Sequence, residues 1–393
     1  MTDYTAIISG SGPAGLAAAI LLAQENVACA VVAPASALDD NRTVALMQPA
    51  IRLLKFIGVW PGTLASACAP LQHLHMIDDT GNLVQAPNIE FAAAEMGHDA
   101  FGWNVPIASL VPVLRARAEE LGVEFIDGRS QSMFDDGKSV TLTLDDGQKL
   151  NAKVILAADG VNSPLRAALG ISMTEWKFDQ SAMATSFSHS LPHNNTSTEW
   201  HKQAGPFATV PLPGLRSSLV WMDRPHRIAE LMALSDAELA AEIQIETHGR
   251  LGRIFEMGPR KSFPMSGRRA TRLAKSRCLL LAEAAHVLPP IGAQGLNLSL
   301  RDAAFAADVI IGEKDPGTDA VMQAYEKART FDVSARQQTV SLMNHTLLAD
   351  SLPLNLARVA GLTLVNYVPA LRAQAMREGL SPSSGLPFAM RGP

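Results

Sequence analysis

Apolar runs, glycine turns and longer helical stretches follow one another in a fixed order at the start of the chain. Residues 5–9 are apolar, 10–15 contain Gly10, Gly12 and Gly15, 16–24 are apolar over successive turns, and 29–33 are apolar again. Strand, tight turn, helix and strand in that order predict a βαβ unit. Further on, the pattern predicts a helix over 110–121 and a strand over 123–126. A hairpin is predicted to pair 139–144 with 149–156 about Asp145, Asp146 and Gly147. From 178 to 263 the runs become short and are punctuated by Pro and Gly, as at 207–212 and 217–222. This predicts a mainly antiparallel sheet, interrupted by helices over 235–245 and 251–255. A buried strand over 278–281, a helix over 298–311 and helical structure over 321–378 with breaks at Pro353 and Pro369 complete the pattern. The Pro/Ser/Gly-rich residues 381–393 read as a loosely ordered tail.

Composition narrows the class. With 393 residues, 47% hydrophobic and 18% charged, the chain has apolar material for two domains sharing an interface. A formal net charge of -5 supplies no basic field, so no nucleic-acid partner is expected. Cys29, Cys68 and Cys278 are odd in number and lack CxxC spacing, which argues against a disulfide framework and a zinc site and favours a reducing, cytoplasmic setting. No metal is expected. Met1, Thr2, Asp3 and Tyr4 lack the positive flank of a signal peptide, and no run reaches the ~20 apolar residues that span a bilayer, so a soluble or peripheral protein is expected.

Three separated stretches carry candidate chemistry. Gly10, Gly12 and Gly15, with Pro13 and Ala14 between them, sit where a strand passes into a helix. Close backbone approach, free N–H groups and the positive end of a helix dipole are what a diphosphate needs. An acid to bind the adenosine ribose is expected about 20 residues later; the chain has Ala33 and Pro34 there. Asp39 and Asp40 follow, and read either as ribose contacts or as a solvated loop capping the next helix. Asp159 and Gly160, with Ser163 and Arg166 after them, close a strand, as an ordinary turn also does. The third stretch runs from Ala282 through Glu283, Ala284, Ala285 and His286 to Pro289, Pro290, Gly292, Gly295, Leu296 and Asn297, where a helix begins. His286 reads as structural, and His201 has no visible acid partner at catalytic spacing, so no catalytic residue is assigned.

Residues 40–46, with Leu54, Gly58, Val59 and Trp60 behind them, make the combination specific. The chain resembles the FAD-dependent aromatic-ring hydroxylases of ubiquinone biosynthesis, within the 4-hydroxybenzoate hydroxylase-like class A flavoprotein monooxygenases. Thr198, Trp200, Gly205, Phe207, Pro211 and Trp221 extend the likeness, which runs from residue 4 to about 380. The resemblance implies an α/β fold: a Rossmann-like FAD-binding domain, a mainly antiparallel-sheet substrate domain and a helical C-terminus. It implies FAD contacts at Gly10, Gly12, Pro13, Ala14, Gly15, Arg42, Asp159, Gly160, Glu283, Pro290, Gly292, Gly295, Leu296 and Asn297. Glu283 stands where the family carries aspartate, and Arg42 also reads as a surface arginine pairing with Asp39 or Asp40. Phe207, Trp221 and Pro289 are the substrate-pocket candidates, although Phe207 and Trp221, like Trp200, read more readily as sheet core.

The same resemblance divides the chain into FAD-binding parts over 1–72, 97–177 and 266–345, substrate-domain parts over 73–96 and 178–265, and a C-terminal helical region and tail over 346–393. It implies reduction of FAD by NAD(P)H, reaction with molecular oxygen to a C4a-hydroperoxyflavin, and hydroxylation of a polyprenyl phenol. Other ubiquinone-biosynthesis proteins and the inner face of the membrane are the expected partners. Leu352, Leu354, Leu356, Val359, Leu362 and Leu364, with Arg358, Arg372 and Arg377, read either as a membrane-facing mouth or as a helix packed on the body. Two alternatives stay open: a hydroxylase of a small soluble aromatic acid, and a flavin-poor scaffold, prompted by Ala33 and Glu283.

Overall fold

The computed structural model describes residues 3–35, 40, 42–82, 84–290, 292–347, 352–380 and 385–392. Asp39 and the side chains of Leu352 and Leu354 lie outside the described residues.

The strand Asp3–Ser9 pairs in parallel with Cys29–Val32 on one side and Lys149–Ala157 on the other, Ile7 lying opposite Ala30 and Ile155. Cys278–Leu280 and Glu124–Ile126 extend this parallel core outward. Helices cover the sheet, so its strands read as unbroken apolar runs. The helix Pro13–Gln24 is buried from Ala14 through Leu22, and Ala17, Ala18 and Ala19 let neighbouring elements approach closely. It begins three residues before the apolar run predicted, because Gly12 is its N-cap and Pro13 occupies a first-turn position that needs no N–H. The predicted hairpin is present as Val140–Leu144 paired with Lys149–Ala157.

A second, nine-stranded sheet stands against this body. It is mainly antiparallel; the exception is Thr196–Lys202, which pairs in parallel with His73–Asp78 from a distant part of the chain. Two long strands, Met173–His189 and Lys261–Ala270, were not legible as such, and the expected boundaries at 177/178 and 265/266 fall inside them. Trp200, Phe207 and Trp221 stack edge to face, with centroids 5.4 and 5.0 Å apart. They share a buried cluster with Ile228 and Leu231 of helix Pro225–Ala233 and Leu239 and Ile243 of helix Asp236–Glu246. Ser235 opens the latter helix with a capping box to Glu238. A small three-stranded sheet, Thr43–Met47, Ala69–Leu71 and Gly102–Pro106, lies between the two larger sheets in the chain path.

Two expectations are corrected. Residues 251–255 are not helical: Ile254–Phe255 is a short strand paired with Ser188 and His189, and Gly249 and Gly252 hold positive φ in the turns before it. Nor is the tail loose where it is described. Leu386, Ala389 and Met390 are buried, Phe388 meets Phe56 edge to face at 5.8 Å, and the Phe388 N–H donates to Asp308. Its apolar residues dock on helix Gln48–Phe56, a pairing between chain ends that local composition does not reveal.

Helices Asp319–Leu347, Leu352–Tyr367 and Pro369–Leu380 complete the chain. Among the described residues no helix is long and apolar enough to cross a membrane.

Candidate functional site

The glycine turn assigns a different task to each glycine. Gly10 has φ +113, and a Cβ there would sit 2.2 Å from the Ala158 carbonyl oxygen. At Gly15 a Cβ would lie 2.1 Å from the Gly10 oxygen. Both are therefore required by the fold itself, one for the turn and one for helix–strand packing. Gly12 differs: its φ of -70 suits any residue, and a Cβ would meet nothing within 4 Å. Nothing among the described residues explains glycine at that position, whereas the close approach of a ligand diphosphate does. The helix it caps has no side-chain cap, leaving first-turn N–H groups for an anion.

Asp159 lies beside this turn because the Ala158 N–H donates to the Ser9 carbonyl at 2.8 Å. One of its carboxylate oxygens, Oδ1, is buried without a hydrogen-bond partner among the described residues, and burial pushes the carboxyl above its ordinary range. A desolvated acceptor of this kind is costly unless a donor reaches it, which fits a hydroxyl-bearing ligand such as FAD. Gly160 turns the chain at φ +87. Arg166 then donates to the Val161 and Ala284 carbonyls at 2.9 and 3.1 Å, tying this stretch to the third one.

In the third stretch Glu283 is exposed toward a large cavity. Arg42 lines the same cavity; the pairing left open by sequence is present, with Nη2 2.6 Å from Asp40. Hydrogen bonding to Asp40, together with the nearby Glu283 charge, holds the Arg42 guanidinium above its ordinary value. Pro289, Pro290, Gly292, Gly295 and Leu296 line the cavity where helix Gln294–Ile310 begins. A Cβ on Gly295 would again meet nothing within 4 Å. Asn297 is placed differently: its amide donates to the Ala45 and Ala293 carbonyls and accepts from the Met47 N–H, so its side chain is consumed in tying the helix to strand Thr43–Met47. Ala33, where an acid was expected, lines the cavity beside Gly128 and Arg129.

Beneath the third stretch lies an ionic network that sequence reading missed. His286 Nε2 is 2.6 Å from Asp302, which also accepts from the Ala282 N–H at 2.9 Å and from Arg329 Nε at 2.7 Å. Asp302 is deeply buried, yet His286 and Arg329 hold its carboxyl below the ordinary range. Asp332 continues the network, accepting from Arg301, Arg329 and Arg336. Arg336 reaches Gln294, the first residue of the helix at the cavity. The i, i+3 and i, i+4 spacing of Arg329, Asp332 and Arg336 was readable; their burial against Asp302 was not.

These stretches converge on one cavity of about 2240 Å³. Single-ligand pockets run roughly 300–1,000 Å³, so a dinucleotide and a second ligand fit together. Its far wall is the nine-stranded sheet, and here two pocket candidates are corrected. Phe207 and Trp221 face the opposite side, in the core under the helices, while Ala208, Val210 and Val220 face the cavity. Successive side chains of a strand point to opposite faces, and the short runs alone do not tell which face meets the ligand. Pro289 does line the cavity, and so does Glu199, to which sequence reading assigned no role of its own.

A parallel sheet with a glycine turn, joined to a second sheet across such a cavity, defines a dinucleotide-dependent enzyme with its substrate chamber alongside. Residues 3–338 match the family described as FAD binding domain, and the chain belongs to it; FAD is its cofactor. The ubiquinone hydroxylase UbiL of Rhodospirillum rubrum is 29% identical over 95% of this chain and 89% of that protein. The 3-demethoxyubiquinol 3-hydroxylase of Escherichia coli is 29% identical over 95% of this chain and 97% of that protein. In fold, the chain is similar to the p-nitrophenol 4-monooxygenase PnpA of Pseudomonas putida, with a TM-score of 0.78 and 18% identity over 97% of this chain and 99% of that one. The protein is an FAD-dependent enzyme of the hydroxylase and monooxygenase kind.

Proposed function

We propose that this protein hydroxylates the aromatic ring of a polyprenyl phenol in ubiquinone biosynthesis, using NAD(P)H and molecular oxygen. The observation that carries the reading is the continuity of the cavity, from the glycine turn to an apolar wall that includes Leu74, Met76, Phe91, Val210 and Val220. Such a wall takes up an isoprenoid tail and excludes water from the ring. Reduced FAD, when bound, supplies the activation of oxygen. The chain's own part is positional. In this reading the N–H groups after Gly12 hold the diphosphate, Asp159 Oδ1 accepts from the cofactor, and the N-terminus of helix Gln294–Ile310 faces negative charge with its dipole. The contact residues are Gly10, Gly12, Pro13, Ala14, Gly15, Arg42, Asp159, Gly160, Glu283, Pro290, Gly292, Gly295 and Leu296, all of which line the cavity.

A peripheral membrane contact belongs to the same proposal. Helix Leu352–Tyr367 turns Leu362 and Val365 to the cavity, while Leu356, Leu364 and Tyr367 on its other side are 45%, 52% and 73% exposed. An element with one apolar side inward and another outward suits delivery of a lipid-tailed substrate. The smaller-substrate alternative is favoured by one feature, Arg216 on the cavity wall, which would pair with a carboxylate. The test measures NAD(P)H oxidation by FAD-loaded protein with prenyl phenols and with soluble hydroxybenzoates, alongside flotation with liposomes. Stimulation by the prenyl phenol together with flotation supports the proposal; stimulation by hydroxybenzoates alone selects the other substrate class.

A further inference from the structure

Strand register places one carboxylate in the apolar wall. Glu199 lies opposite Met76 on one neighbouring strand and Ala208 on the other, and all three line the cavity. Among the described residues it is the only carboxylate that the nine-stranded sheet gives to the cavity. The other cavity carboxylates lie elsewhere: Asp40 is engaged by Arg42, Asp332 by Arg301, Arg329 and Arg336, and Asp159 and Glu283 belong to the nucleotide stretches. His201, two residues along on the same face, sits 2.9 Å from Glu199 Oε1 through Nε2. The imidazole is 5% exposed and the carboxylate 25%, so the pair presents its acid to the cavity and keeps its base behind. The acid partner that sequence spacing did not reveal for His201 is therefore present.

We propose that Glu199 accepts the proton of the substrate's ring hydroxyl, with His201 as the positioning residue that orients the carboxylate. This rests on the phenol hydroxylation proposed above. In the step, the phenol O–H bond breaks, its proton passes to the Glu199 carboxylate, and the electron pair stays on oxygen. Delocalisation of that pair enriches the ring carbons ortho and para to it, the positions from which oxygen is captured. His201 donates its Nε2 hydrogen to Glu199 Oε1, an assignment made from the partner. A phenol hydroxyl taken into an apolar wall needs an acceptor, and this sheet offers a single carboxylate for the purpose. The other charged groups around the pair are matched among themselves. Asp78, opposite His201, is held by Arg358 from helix Leu352–Tyr367; Lys202 pairs with Asp79 and Glu246; His248 meets Asp79, His75 meets Arg250, and His73 meets Glu90.

The test uses the FAD-loaded full chain with 2-geranylphenol in detergent as the probe. It reads flavin absorbance on probe binding, hydroxylated product per NAD(P)H oxidised, and kcat/KM against pH. Glu199→Gln is expected to lower product formation by about 100-fold or more, to keep FAD binding and thermal unfolding unchanged, and to lose the acidic limb of the profile. The NAD(P)H it still oxidises should appear as hydrogen peroxide. Glu199→Asp should recover part of the coupling, and His201→Gln should move the acidic limb without abolishing it. Wild-type product formation and an unaltered pH profile in Glu199→Gln would overturn the proposal while leaving the hydroxylase reading intact. If the wild-type protein neither binds nor hydroxylates the probe, the hydroxylase reading fails first, and this assignment falls with it.

Discussion

Replacing Asp332 with asparagine tests whether the buried ionic network holds the cavity wall where helix Gln294–Ile310 begins. Its carboxylate accepts hydrogen bonds from Arg301 at 3.0 Å, Arg329 at 2.6 Å and Arg336 at 2.9 Å. Burial works against the charge, but Arg329, Arg301 and Arg336 together hold the carboxyl down from 3.8 to about 2. At about 1.4 kcal/mol per unit, that depression stabilises the fold by roughly 2 kcal/mol. Breaking a buried pair leaves guanidinium groups uncompensated and costs about 3–5 kcal/mol. Arg301, 7% exposed and paired among the described residues with no other carboxylate, is the group most affected, since Arg329 keeps Asp302. Asp332→Asn should therefore lose roughly 2–5 kcal/mol at neutral pH in urea unfolding of the apoprotein, followed by tryptophan fluorescence. The sign of the pH dependence follows from the depressed value. The contribution is complete above the unfolded pKa and disappears as pH falls from about 4 to about 2, so the gap between the proteins should narrow over that window. Because Arg336 also anchors Gln294, the variant should bind FAD more weakly. A loss below about 1 kcal/mol, the size of an exposed pair, or a gap independent of acidity, would refute the reasoning.

The glycine turn gives a contrasting pair: Gly15→Ala should destabilise the apoprotein, whose backbone it would strike at 2.1 Å, whereas Gly12→Ala should leave apoprotein unfolding unchanged and weaken FAD in a fluorescence titration. Ala33→Glu should tighten FAD by about 1.5–3 kcal/mol if the missing ribose acid matters, and equal affinities would reject that explanation. Asp159→Asn should stabilise the apoprotein at neutral pH, because burial raises the folded pKa and makes the charged form a liability as pH rises through it; the same change should weaken FAD. Removing residues 385–393 should lower the unfolding temperature, since Leu386 and Met390 each bury a side chain worth about 1.5–3 kcal/mol.

What was legible divides along physical lines. The βαβ start and the hairpin at Gly147 follow from local periodicity and turn chemistry, and both are in the structure. The three candidate stretches, which line one cavity, stood out because glycine and proline answer to backbone demands visible in a short window. Orientation was not. Strand register puts Phe207 and Trp221 on one face of the sheet, and the helices at 225–233 and 236–246 decide that this face is core. Asn297 looked like a ligand contact because of its place in the third stretch, yet its amide is saturated by Ala45, Met47 and Ala293. The His286–Asp302 and His201–Glu199 pairs escaped for a different reason. A long-range partner carries no local signature, and a partner two residues away along a strand does not fit the spacings searched for in a catalytic triad.

The most direct test of the central claim follows the oxygen atom. FAD-loaded protein given NAD(P)H, a prenyl phenol and isotopically labelled dioxygen should yield a ring-hydroxylated product whose new hydroxyl carries the label, by mass spectrometry. Label recovered only in hydrogen peroxide and water, with the phenol unchanged, would contradict the account.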